Sequence, residues 1–564
     1  AAGFLARQHP PRTRFLFGLY DGIGKGLKWL ETRYSVVLKW ALGHRKTVVF
    51  TAAGLFAASI PLFMSIGVNF MEPSDDGRIR CSVQHAVGTD LPTTMATLNM
   101  MEEIIKKEVP ERTTVYVNAG ASGGIGAALQ GLDTHSGEIQ VKLVPLKDRH
   151  RSKFEIQDAL RARFDRIPGI KYNFQQDSGP SMGGADIEVR FFGDDLDVIG
   201  NLADSTVAIA KRIPGAVDAR SNLDRGAPEL QIRLDRDRLQ AVGLTAGQVS
   251  AAVSTAIQGA TATRYREAGE EYNIFVRFAE EFRRSPEQLE NLIIASPAGA
   301  LIPLRQVADV RREVAPIAIF RENQGRVATV SIGVSGRDLG SVTKDVEKAI
   351  SKLNIPNDVI MEVGGGAEDL RESFRYLGLA ILAGIVLVYV VMASQFESLV
   401  DPFIIGTTVP LSFVGVAIAL AITGTTVSVM ALLGMLMLVG IVVNNGIVLV
   451  DFTNQMMRLE HKELFEAAYE AGRTRLRPVL MTALTTTMGM FPLSLGLGES
   501  GESWAPLARA VMGGLLFATL MTLIVVPVVY TLFETMAIRF RAWRDRRTAR
   551  KHPELVVEEG AQLM

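Results

Sequence analysis

Two adjacent amides, Asn444 and Asn445, lie in a stretch where every other residue from Met435 to Val450 is apolar or glycine. An amide in hydrocarbon must find a hydrogen-bonding partner, because the lipid offers none. Two readings follow. The pair locks neighbouring membrane helices together, or it faces a water-filled path and takes part in function. Further along, Arg475 and Thr482 stand at i and i+7, so on a helix they share a face about 10 Å apart. Asn donates and accepts hydrogen bonds but carries no charge. Arg475 carries a permanent one, unless it only snorkels at an interface. No Asp or Glu falls at the centre of an apolar run; Asp401 and Asp451 lie near run ends. A group that changes protonation at that depth must therefore come from elsewhere.

The elements that position these residues are membrane spans. The 564 residues have zero formal net charge and 48% hydrophobic content, but those averages mix two unlike materials. Apolar runs cover residues 47–67, 376–392, 403–422, 427–450, 479–497 and 511–532. Each is long enough to cross roughly 30 Å of hydrocarbon as a helix. The fold class expected is a polytopic α-helical membrane protein with six spans in a 1+5 arrangement and one large external α+β domain. Lys25, Lys28, Arg33, Lys39, Arg45 and Lys46 precede the first run. Arg539, Arg541, Arg544, Arg546, Arg547, Arg550 and Lys551 follow the last. The positive-inside rule puts both ends in the cytoplasm and the domain outside. Cys81 is the only cysteine, so that domain is held by packing rather than by an internal disulfide. The chain starts at Ala1 without an initiator Met or a secretion signal and reads as a piece of something longer.

The domain reads as two repeats of β-α-β-β-α-β order, the ferredoxin-like pattern. Strands are expected at 79–83, 113–117, 138–143 and 171–174, with helices at 93–107 and 153–167. The second repeat has strands at 186–192 and 216–220 around a helix at 196–213. It resumes with a strand at 327–334, a helix at 341–353 and a strand at 359–363. An insert of about 100 residues divides it, with strand-like 229–234 and 272–278 around helix-like 245–257. The expected division is 1–46, an interfacial segment; 47–67, the first span; 68–185, one subdomain; 186–221 with 323–372, another; 222–322, the insert; 373–533, five spans; 534–564, a basic tail. The run Gly120-Ala121-Ser122-Gly123-Gly124-Ile125-Gly126 after a strand mimics a dinucleotide-binding turn. Its strand alternates polar and apolar, and no ribose-binding acid follows, so nucleotide binding is excluded.

With these features assembled, the chain resembles the C-terminal half of a resistance-nodulation-division (RND) transporter of the hydrophobe/amphiphile efflux branch. The residues that carry the resemblance are the motif at 69–76 (NFMEPSDD), the insert from Asp224 to Phe278, Ala393 to Ser398, Gly440 to Phe452, and Arg475 to Thr482. The resemblance implies a twelve-span protomer of two similar halves in the inner membrane, with a periplasmic domain. It implies a homotrimer exporting amphiphilic small molecules on proton influx, with no cofactor beyond the proton gradient. The partners implied are the chain's own N-terminal half, a periplasmic adaptor of the membrane-fusion type and an outer-membrane channel, and no nucleic acid. Neither an enzyme nor its usual catalytic constellations is expected.

The resemblance also assigns sites. Asn444 falls where many members carry a membrane-embedded Lys, and Asn445, Arg475 and Thr482 complete a proton relay whose acidic pair belongs to the N-terminal half. Gly120, Ala121, Ser122, Gly123, Gly124 and Ile125 become a switch loop beside the substrate, with Val115 and Leu143 lining it. Small residues stand where drug-handling members carry phenylalanines. Residues 262–271 become an arm toward a neighbouring protomer. The alternatives are a metal-exporting member, for which Met71, Met95, Met100, Met101, Met182 and Met361 are the soft donors of the domain, and a six-span accessory of protein translocation, against which the size of the insert argues.

Overall fold

The structure, a computed structural model, describes residues 14–120, 134–175, 185–223, 226–297, 299–315, 318–497 and 501–551. Two helices, α1 (Arg14–Gly43) and α2 (Arg45–Ser65), part at His44. After α2 the apolar run gives way to period-2 alternation, and strands begin. β1 (Arg78–His85) turns Ile79, Cys81 and Val83 to one side, each at most 2% exposed. They meet Leu98, Met101 and Ile105 of α3 (Leu91–Glu108), spaced for one helical face. β2 (Arg112–Ala119) and β3 (Ser136–Leu143) follow. α4 (Lys153–Phe164) starts in a Ser152–Glu155 capping box and adds Ile156, Leu160 and Phe164 to the same core. β4 (Ile170–Gln175) closes an antiparallel sheet of order β2-β3-β1-β4.

A second unit opens with β5 (Ile187–Phe192), α5 (Leu196–Ala210) and β6 (Ala216–Ser221). The insert then holds β7 (Ala227–Leu234), α6 (Arg236–Ala241), α7 (Ala246–Ile257), β8 (Ala260–Glu267), β9 (Glu270–Val276), α8 (Pro286–Glu290), β10 (Ile293–Ala295), β11 (Leu301–Pro303) and β12 (Ala308–Ala315). β7 and β12 pair as an antiparallel stem, and a core of Leu239, Val249, Ile294, Ile302 and Leu304 sits above it. β8 and β9 form a hairpin exposed along its whole length, turning at Ala268 and Gly269, both with positive φ. β13 (Arg321–Glu322), β14 (Gly325–Val334), α9 (Leu339–Ile350) and β15 (Ile360–Gly364) complete the second unit. In its sheet, β6, β14, β5 and β15 are neighbours in that order. Its strand order repeats that of the first unit.

The two units join through Arg161 of α4 and Asp218 of β6, 3.1 Å apart with both side chains largely buried. Beside them, the Asp186 carboxylate accepts the Val334 N–H at 2.7 Å. Burial pushes the Asp186 carboxyl up to about 6 and nearby Asp218 adds to this, against the pull of the Val334 N–H and Arg161.

The remaining helices are α10 (Gly366–Phe396), α11 (Val400–Gly406), α12 (Thr408–Thr423), α13 (Val429–Leu459), α14 (Leu464–Ser494) and α15 (Gly501–Lys551). α10 runs without a break from beneath β5. Its first N–H groups, on Gly366 and Ala367, bond the carbonyls of Ala185 and Asp186 at 3.2 and 3.0 Å. Gly365 just before it has φ +74, and a Cβ there would lie 2.7 Å from the Ala185 carbonyl oxygen. α15 packs against α12, α13 and α14 at close range. A Cβ on Gly415 would run into the Gly513 carbonyl, and one on Gly434 into that of Leu507.

Among the described residues, five helices are long and apolar enough to cross a membrane: α2, α10, α11 with α12, α13 and α15. The sixth expected run, 479–497, lies in α14, which falls short. Glu466, Glu470, Arg473, Arg475 and Arg477 occupy its first half, and four threonines (Thr482, Thr485, Thr486, Thr487) dilute the remainder. The helix is long enough; its composition is too polar.

Candidate functional site

α13 begins where the Ser428 hydroxyl accepts the Ala431 N–H at 3.3 Å. Its two sides differ. Leu438, Val442, Asn445 and Leu449 are buried against the bundle. Met437, Gly440, Asn444, Asp451, Gln455 and Arg458 are exposed along the opposite stripe.

The tandem asparagines therefore part company. Asn445 is 6% exposed, and its Nδ2 donates to Thr519 Oγ1 of α15 at 3.4 Å. Thr519 in turn donates to the Leu515 carbonyl at 2.7 Å. Asn444, rotated about 100° by one helical step, is exposed and has no hydrogen-bond partner among the described residues. Asp451, seven residues on, shares the Asn444 stripe about 10 Å away, and its carboxylate accepts Gln455 Nε2 at 2.8 Å.

On α14, the Arg475 guanidinium stacks 4.2 Å over the Phe452 ring of α13, and its Nε is buried without a partner. That contact aligns two antiparallel neighbours. Phe452 lies eight residues past Asn444, about 12 Å along the axis, so Arg475 does not sit beside Asn444. Thr482, seven residues beyond Arg475 on the returning helix, comes level with the amide pair. Its hydroxyl is exposed and bonded to the Val479 carbonyl of its own helix at 2.9 Å. The structure thus brings Arg475 against α13 near Asp451 and leaves Asn444 and Thr482 bare.

Two groupings escaped sequence reasoning. One is the alignment of Asp451 with Asn444, which the i, i+7 spacing signals. The other joins α11, α13 and α15: Asn454 Nδ2 donates to Asp401 Oδ2 at 3.4 Å, and the buried Tyr530 hydroxyl donates to Asn454 Oδ1. No periodicity links those three positions, so nothing in the sequence pointed to it.

In the first unit, Ala121, Ser122, Gly123, Gly124 and Ile125, the residues expected to form a switch loop, lie outside the described residues. Gly120 at its start has φ +69 and donates its N–H to the Ser136 carbonyl at 2.8 Å. Val115 is half-buried opposite Val141. Leu143 is 3% exposed inside the first unit's core. Packed among Leu98, Ile156 and their neighbours, Leu143 has no surface to offer a ligand. The expectation that it lines the substrate path does not fit its placement. Met101 fills the same core, while Met95 and Met100 lie exposed on the outer side of α3.

The AcrB/AcrD/AcrF family matches residues 1–534 of the chain. A cobalt-zinc-cadmium resistance protein of Cupriavidus metallidurans is 31% identical over 519 residues, 89% of this chain and 48% of that protein. A multidrug resistance protein, MdtC of Yersinia pseudotuberculosis, is 27% identical over 543 residues, 95% of this chain and 52% of that protein. The crystal structure of a heavy metal efflux pump superposes with a TM-score of 0.80 at 28% identity, over 90% of this chain and 52% of that one. The chain spans about half the length of the relatives it matches.

Proposed function

Because this chain belongs to the AcrB/AcrD/AcrF family of efflux transporters, we propose that it is one half of an RND protomer driving amphiphilic compounds outward on proton influx. The observation that carries the reading is the polar stripe of α13. Asn444 and Asp451 lie exposed on a helix whose other side is buried, and such a stripe needs a second helix bundle rather than lipid. That bundle is the N-terminal half, which supplies the titrating carboxylates. In this reading α14 is the sixth span, its threonine face covered by the same partner. Both chain ends are cytoplasmic, the two ferredoxin-like units are periplasmic, and three protomers assemble with an adaptor and an outer-membrane channel.

Asn444, with Arg475 and Thr482, responds to protonation of the partner's acids, while Asn445 ties α13 to Thr519 of α15. Asn444 does so by hydrogen bonding, since an amide cannot exchange ion pairs. The switch loop from Gly120 to Ile125 gates the substrate path. The named relatives divide between metal and multidrug resistance. The exposed positions of Met95 and Met100, apart from the core position of Met101, favour an amphiphile over a soft metal ion, which needs converging donors.

The experiment is reconstitution of the chain joined to a matching N-terminal half in liposomes. Under an imposed pH gradient, a fluorescent amphiphile is expected to move. Zinc flux without dye flux would select the metal reading, and no gradient-dependent flux of either would overturn export.

A further inference from the structure

We propose that the ten residues 67–76, which leave α2, are a transmission strap. It carries movement of the α12–α13 loop to the helix N-termini of both ferredoxin-like units, with Glu72 and Asp75 as positioning residues. The inference rests on the export reading, since it concerns how an event at Asn444 reaches the external domain.

At the membrane end the strap is zipped to the loop in parallel. Val68 and Val427 are bridge partners. Val427 N–H donates to the Gly67 carbonyl at 2.9 Å, Asn69 N–H to the Val427 carbonyl at 3.1 Å, and Val429 N–H to the Phe70 carbonyl at 3.2 Å. Glu72 adds a side-chain clasp, its Oε1 accepting the Thr426 N–H at 2.8 Å and the Thr426 hydroxyl. Thr426 and Val427 immediately precede the Ser428 cap of α13. Any axial shift of the helix that carries Asn444 therefore reaches the strap within a few residues.

At the domain end the strap holds two helix starts. For α9, Asn69 Oδ1 accepts the Leu339 N–H at 2.8 Å and the Val68 carbonyl accepts the Gly340 N–H at 2.9 Å. Asp338, which caps α9 by accepting the Ser341 N–H at 2.8 Å, also accepts the Val68 N–H at 3.2 Å. For α4, Asp75 Oδ2 accepts the Lys153 N–H at 2.8 Å, a carboxylate at the positive end of a helix. The other Asp75 oxygen pairs with Arg149, both side chains nearly fully buried. Asp76 holds Lys153 Nζ at 2.8 Å. Burial alone would push the Asp75 carboxyl up, but Arg149 and the Lys153 and Gly77 N–H groups outweigh it and hold it below the usual carboxylate range. A third tie runs to α15, where Asp75 N–H donates to Glu502 at 3.2 Å.

The two ends differ in strength. A buried, multiply bonded ion pair does not release readily, so the Asp75 end is fixed to α4. The Glu72 clasp is half-buried and rests on one side chain, so, beside the backbone bonds of Gly67, Asn69 and Phe70, it is where the connection can be weakened without dismantling a unit.

The test uses the chain joined to its N-terminal half. Glu72→Ala is expected to lower the maximal efflux rate at least tenfold while leaving the substrate KM and purified-protein binding unchanged. Adding Val68→Cys with Val427→Cys replaces the clasp covalently; the one natural cysteine, Cys81, is buried and stays in place. Oxidation of the pair should restore efflux in the Glu72→Ala background, and reduction should remove it again. With Glu72 intact, the cross-link should be tolerated. Wild-type efflux in Glu72→Ala, or a cross-link that blocks transport until reduced, would overturn the strap, the latter because the strap would have to slide against the loop. Should Glu72→Ala fail to assemble, Glu72→Gln keeps an acceptor oxygen and is expected to export near normally. Loss with Gln as well reduces Glu72 to a structural role. A wild-type protein that moves nothing under a gradient would fail the export reading instead.

Discussion

Asn444 and Asn445 are the same side chain one residue apart, yet one is closed inside the bundle on Thr519 and the other is left bare. α10 supplies the contrast that interprets the bare one. Along its middle, from Leu379 to Val391, the exposed large side chains are Leu379, Leu382, Val386, Leu387, Val390 and Val391, a surface suited to lipid. The exposed stripe of α13 carries an amide, a carboxylate and Gln455 instead; Asp451 and Gln455 bond each other, and an unpaired amide such as Asn444 costs several kcal/mol in hydrocarbon. Burial within this chain therefore does not rank the two amides by importance. Asn445 is complete as it stands, and Asn444 is complete only against something else.

The largest effect expected follows from that incompleteness. Reconstituted alone, the chain should give no substrate flux under a pH gradient, because its spans hold no central carboxylate to titrate near neutral pH. Joined to an N-terminal half bearing acids, it should recover flux. Gradient-dependent transport by these 564 residues alone would break the comparison outright. Next comes Asn444→Leu, expected to reduce efflux from cells by more than tenfold with expression and oligomer size unchanged; near-normal efflux would make Asn444 helix glue like its neighbour.

The same rule about enclosed polar groups can be tried outside the membrane at Asp186. Its carboxyl is raised to about 6, so the folded protein holds that proton at pH values where the unfolded chain has released it. Stability from this group is present at low pH and declines as pH rises from about 4 through 6. Asp186→Asn, which keeps an acceptor for Val334 N–H, should stabilise the domain by up to about 3 kcal/mol at pH 7.5 and by little near pH 4. Denaturation at the two pH values reads it, and an equal effect at both would assign the change to packing. The smallest effect is on the inner face. Asn445→Leu and Thr519→Val, singly and together, should show a coupling of roughly 0.5 kcal/mol, with export retained. A loss of export in Asn445→Leu as severe as in Asn444→Leu would erase the distinction between the faces.

What could be read from sequence followed from period. Ile187, Val189 and Phe191 alternate along β5 and are all fully buried, so strand and inward face were both visible. Likewise Leu98, Met101 and Ile105 marked the inner side of α3. β8 was not foreseen as a strand, because it is exposed on both sides and no alternation survives there. The orientation of the two asparagines was also hidden. Their local sequence is apolar on both sides, and the bond from Asn445 to Thr519 on α15, 74 residues away, is a contact that local sequence does not announce. Leu143 was named through the resemblance rather than from its own pattern, and the strand's pleat sends it into the core. For α14, charge and threonine content weakened a signal that its length alone would have given.

α10 is one rod of 31 residues, about 46 Å long, hung from the underside of β5 by Gly364, Gly365 and Gly366. Because no other residue fits Gly365 beside the Ala185 carbonyl, the joint is both narrow and unable to accept a side chain. Leverage follows from those two dimensions. A tilt of about five degrees at the joint displaces the far end of the rod by about 4 Å, roughly three-quarters of the pitch of a helical turn. A change in the second unit too small to alter any strand pairing would therefore arrive at the far end of α10 as a displacement the size of a side chain.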